Sequence, residues 1–123
     1  MNRGIHRDKD FREIYYRMYL KHQQGWQGSP AKLSRATVFS SSEDWSQAMI
    51  AHLWSSADGR LLVDPASCVV DGVVVCQGYN DCEQLQWLGN KPGQTAIFST
   101  EESGQWRCVE AQVRLNDPGQ KNG

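Results

Sequence analysis

The segment Cys68-Val69-Val70-Asp71-Gly72-Val73-Val74-Val75-Cys76 constrains this chain more tightly than any other. Asp-Gly supplies the two central residues of a type I′ turn, both of which need positive φ, so the flanking valines fall into antiparallel register. That register pairs Val70 with Val73, Val69 with Val74 and Cys68 with Val75. Both faces of the hairpin are then apolar, which predicts a central place in a sheet with cover on both sides. The same register sends Cys68 and Cys76 to opposite faces and predicts that they do not bridge each other.

Around this hairpin the chain alternates helix and strand signals. Residues 10–24 read as a helix: Asp10 and Glu13 stand at capping-box spacing, and Gly25 stands where a left-handed residue would end it. Phe11, Ile14, Tyr15, Met18 and Tyr19 fall on one helical stripe with His22, while Arg12, Arg17 and Lys21 fall opposite, together with Tyr16 and Leu20. Leu33–Phe39 reads as a strand. A second helix, opened by capping chemistry in Ser40–Asp44, runs to about Ala57 with Trp45, Ala48, Met49, Ile50, His52 and Leu53 on its stripe and Trp54 beyond it.

Arg60–Val63 reads as a strand ended by Asp64-Pro65, since proline cannot donate to a central ladder. Asn80–Leu88 reads as a short third helix. Thr95–Thr100 and Gln105–Leu115 form a closing hairpin, with Val109, Ala111, Val113 and Leu115 alternating against Glu110, Gln112 and Arg114. The order α-β-α-β-β-β-α-β-β predicts an α+β fold: a mostly antiparallel sheet of five to six strands with two longer helices and one short helix. The 123 residues make one domain, with 1–9 and 116–123 frayed.

Composition narrows the class. Hydrophobic residues are 39% and charged residues 22%, so a disordered chain is excluded. The longest apolar stretch is broken by Asp71 and Gly72, which excludes a membrane span there. The opening Met1-Asn2-Arg3-Gly4-Ile5-His6-Arg7 leads into charge rather than an apolar run, and predicts a cytoplasmic protein with reduced thiols.

Catalytic signatures are scarce. The four cysteines form no CxxC pair and have no histidine at zinc-ligand spacing, so neither a metal nor a cofactor is expected. Phosphate-cradling glycine loops, the GxSxG elbow and HExxH are missing. His6-Arg7-Asp8 spells a kinase triplet, out of context in a chain this short. The catalytic candidates are His52, as a base on an apolar stripe, and Cys82, a thiol near the start of the third helix; together they would make a minimal nucleophile–base pair.

Charge distribution carries the functional lead. Residues 1–35 hold eight of the thirteen Lys and Arg against three acids, a net of +5, and the remainder nets −6. On the expected first helix, Arg12, Tyr16, Arg17, Leu20 and Lys21 share an outward face, and Trp54 is a second off-stripe aromatic. Large side chains with polar ends suit a macromolecular interface. The chain thus reads as a non-enzymatic binding protein, of inhibitor or adaptor type, using a basic aromatic N-terminal helix to engage a protein partner or a second copy. Alternatives are nucleic-acid binding through the same helix and a small hydrolase or nuclease using His52 or Cys82.

Overall fold

The computed structural model describes residues 11–27, 30–41, 43–117, 119–120 and 122–123, and among them there is no helix. The fold is all-β rather than α+β. Its strands are β1 (Glu13–Leu20), β2 (Ala31–Phe39), β3 (Gln47–Ser55), β4 (Leu61–Ser67), β5 (Val69–Val70), β6 (Val73–Val74), β7 (Gln86–Trp87), β8 (Lys91–Pro92) and β9 (Arg107–Arg114). All pairings are antiparallel. The main sheet runs β2-β3-β4, with β7 and β8 both pairing along β4; β1 pairs with β9 as a separate ribbon, and β5 pairs with β6.

The basic N-terminal helix is corrected to a strand. Along β1, exposure alternates strictly: Glu13, Tyr15, Arg17 and Tyr19 face water while Ile14, Tyr16, Met18 and Leu20 turn inward. Ile14 and Met18 fit a period of 3.6 and a period of 2 equally well. Three tyrosines and an isoleucine in eight residues favour the pleated surface, and β9 supplies a partner of matching period. Val109, Ala111 and Val113 oppose Met18, Tyr16 and Ile14.

The second helix is likewise a strand, β3. Its expected capping residues make turn chemistry instead: Asp44 Oδ1 accepts from the Ser46 N–H at 3.0 Å, and the Ser46 hydroxyl donates to Asp44 Oδ2 at 2.8 Å. The third helix is a set of turns running into β7, and Thr95–Thr100 is turn rather than strand. Pro65 does not end β4. It lies between the two short edge pairings, Leu62–Val63 with β8 and Ala66–Ser67 with β7, where the outer ladder is already interrupted.

The Asp-Gly turn forms as expected, with Asp71 at φ 49°, Gly72 at φ 80° and the valines in the expected register. Its placement differs. The hairpin is its own small sheet, with Val73 exposed. Cys68 and Cys76 form a disulfide with Cα atoms 5.4 Å apart. The ladder ends once the Val75 N–H has donated to the Cys68 carbonyl, so Cys76 lies beyond the pleat and is free to turn back.

Ribbon and main sheet pack face to face. Leu53, Phe98 and Val109 form the buried centre, surrounded by Tyr16, Met18, Leu20, Leu33, Leu61, Ile97 and Ala111. A Tyr16–Ser34 hydroxyl contact of 3.0 Å joins β1 to β2 across the layers. The 95–104 loop closes this end: Gly59, at φ +75°, packs so tightly that a Cβ there would lie 2.6 Å from the Ser99 nitrogen.

Candidate functional site

The two layers are filled at one end and open at the other. Leu53 on β3, Val109 on β9 and Met18 on β1 meet in the core. Towards Met49, Val113 and Ile14 on the same three strands the layers part, leaving a cavity of about 900 Å³. Val38, Leu88 and Leu115 extend its apolar lining, and Arg12, Asn116 and Gln120 add polar groups.

Arg12 is placed by backbone pairing just before β1, where its carbonyl accepts from the Leu115 N–H at 2.8 Å. Its Nη2 donates to the Asn116 carbonyl at 3.1 Å and to Asp117 Oδ1 at 2.9 Å. Both members of the ion pair are more than half exposed. Arg114, one residue before Leu115, is a neighbour of Glu13 and Tyr15, and its charge helps hold the Glu13 carboxyl below its ordinary value, after hydrogen bonds from Gln112 and Tyr15.

The other expected binding residues are divided between surfaces. Tyr16 and Leu20 are half-buried against the core. Arg17 is exposed and binds Glu110 across the ribbon through its Nε at 2.7 Å, while the Lys21 ammonium lies 5.9 Å from the Trp106 ring centre. The aromatic residues that accompany Arg17 on the ribbon's outer face are Tyr15 and Tyr19, exposed at 72% and 63%. A strand sends neighbours to opposite sides, so the five residues expected on one helix face are separated. Arg3, Arg7 and Lys9, part of the basic cluster, lie outside the described residues.

Trp54 and His52 alternate with Leu53 and so occupy the face of the main sheet turned away from the ribbon. His52 is 3% exposed, edge-on to Trp54 and stacked on Trp87, each at 5.7 Å between ring centres. Arg35 on β2 and Asp64 on β4 are its cross-strand neighbours. Lys32 lies 5.0 Å over Trp54, and Arg35 4.4 Å over Tyr79. Burial pulls the His52 pKa down to about 4, aided by the positive charges of Lys32 and Arg35 and opposed by a backbone group of Asp64. The imidazole is therefore neutral at ordinary pH.

Cys82 is an exposed free thiol in the turn preceding β7. Among the described residues neither His52 ring nitrogen has a hydrogen-bond partner, so no hydrogen bond joins it to Cys82. Among the described residues there is no cluster of three His, Cys, Asp or Glu able to hold a metal, and no helix long and apolar enough to cross a membrane. The cavity residues Ile14, Met49 and Val113 escaped sequence reasoning. Alternation in 13–20 matched to alternation in 107–114 was the signal that could have found the ribbon.

Comparison with protein-family models, curated proteins and solved structures finds no match for this chain.

Proposed function

We propose that this chain is a non-enzymatic binding protein that holds a small apolar molecule between its two layers. The observation that carries the reading is the cavity of about 900 Å³ at the open end of the sandwich. Small-molecule sites typically enclose roughly 300–1,000 Å³, with apolar walls and few polar groups.

An apolar fluorescent probe titrated into the protein tests this. Bright, saturable 1:1 binding is expected, and Ala51→Phe, which adds a ring to a cavity-lining position, is expected to weaken it at least tenfold with the fold intact. Probe fluorescence that stays flat, or an Ala51→Phe variant that binds equally well, would rule the reading out.

The macromolecular reading also has support, on the ribbon's outer face. Tyr15, Tyr19 and Trp106 are exposed there beside Arg17 and Lys21, residue types that dominate binding hot spots. A protein partner held by these aromatics would resist added salt, whereas a nucleic acid would be released by it. The cytoplasmic location stands as a proposal against the Cys68–Cys76 disulfide, a bond that a reducing cytosol seldom preserves.

A further inference from the structure

We infer that the cavity ligand carries a carboxylate at one end, and that this group replaces Asp117 on the Arg12 guanidinium. The inference rests on the cavity being a binding site, and goes on to say what the bound molecule is: an apolar body with a single acidic head.

Three observations carry it. The first is charge. Among the described residues Arg12 and Arg114 line the cavity and no acidic side chain does; Arg114 stands opposite Glu13 across the ribbon, on the exposed side of β9. An apolar chamber whose described lining carries guanidinium groups and no acidic side chain favours an anion over a cation or a neutral molecule.

The second is geometry. A guanidinium presents five N–H donors in a planar fork, suited to holding both oxygens of one carboxylate. Arg12 uses Nη2 alone, shared between the Asn116 carbonyl at 3.1 Å and Asp117 Oδ1 at 2.9 Å. Its backbone is meanwhile pinned by the Leu115 N–H, so the side chain projects from a fixed base.

The third is the ease of exchange. Arg12 and Asp117 are 60% and 56% exposed, and ion pairs between exposed partners add little to stability. A ligand carboxylate loses nothing comparable when it displaces Asp117, because its apolar body is buried in the same event. Asp117 stands in the free protein where the ligand's head would lie.

The test compares two ligands of equal length, dodecanoate and dodecanol, displacing the apolar probe from the full chain near neutral pH. Dodecanoate is expected to bind about tenfold more tightly, the worth of one charge-assisted hydrogen-bonded contact. Arg12→Gln should bring dodecanoate and dodecanol to equal affinity, and Asp117→Asn should widen the preference for dodecanoate. Equal affinity of acid and alcohol in the unaltered protein, or a preference that survives Arg12→Gln, overturns the carboxylate while the cavity reading stands. A probe that never binds overturns the cavity reading, and this inference with it.

Discussion

Protonation of His52 should set how the protein responds to mild acid. The ring is buried between Trp54 and Trp87 with Lys32 and Arg35 nearby, and its pKa falls from 6.5 to about 4. A base whose pKa is depressed by folding binds its proton preferentially in the unfolded chain. Stability is therefore full above about pH 6.5, declines as pH falls below it, and levels off under about pH 4. With those two pKa values, linkage predicts a loss of about 1 kcal/mol between roughly pH 7 and pH 5.5. That window lies above the ordinary carboxylate range, so Glu13, Asp44, Asp58 and Glu101, all held below their usual values, stay charged throughout it. Urea unfolding at several pH values measures the slope. His52→Leu is the control, because it removes this one titration and keeps the other histidines. The unaltered protein should lose about 1 kcal/mol more than His52→Leu across the window. Parallel slopes would refute the assignment of a neutral, desolvated imidazole.

Two further outcomes follow from the backbone. Gly59→Ala puts a Cβ 2.6 Å from the Ser99 nitrogen and 2.8 Å from its Cα at φ +75°, and should cost about 3 kcal/mol, or roughly 10 °C in melting temperature; a shift under about 3 °C would show that the loop yields freely. Replacing both Cys68 and Cys76 by serine opens a loop of sequence separation 8 and should cost about 2–3 kcal/mol in chemical denaturation, with the Val73 and Val74 amides exchanging faster; an unchanged denaturation midpoint would show that the bond adds nothing to folding.

Local signals in the sequence were readable and long-range ones were not. The Asp71-Gly72 turn and the alternation in β9 depend on a few adjacent residues, and both appear as expected. In β1 and β3 the local evidence is ambiguous: Ile14 and Met18, like Met49 and Leu53, are spaced four apart, which satisfies a helix stripe and one side of a strand alike. Strand partners decide between them. β3 is flanked on both sides, by β2 and β4, and a helix could not satisfy either edge. Polar residues added to the ambiguity, since Asp44 serves a turn with the same side-chain acceptor that would cap a helix. The expectation of unbridged cysteines extends the hairpin register one residue beyond the ladder's end, where the Val75 N–H makes its last bond to the Cys68 carbonyl. The cavity was hidden for the same long-range reason: it needs Ile14 opposite Val113, a pairing no local window contains.

That pairing also has a consequence in time. Arg17 and Glu110, joined across the ribbon, are 93 residues apart in the chain. At ordinary rates of synthesis, β1 leaves the ribosome roughly 5–20 s before its partner exists. The β2-β3-β4 meander, built from neighbours, can assemble during that wait, since short-range pairings close fastest. β1 cannot, and it spends the interval as an unpaired edge carrying three tyrosines, the kind of segment that templates aggregation. The cavity between the layers is accordingly the last part of the molecule to come into being, and the nascent chain is most vulnerable in the strand that walls it.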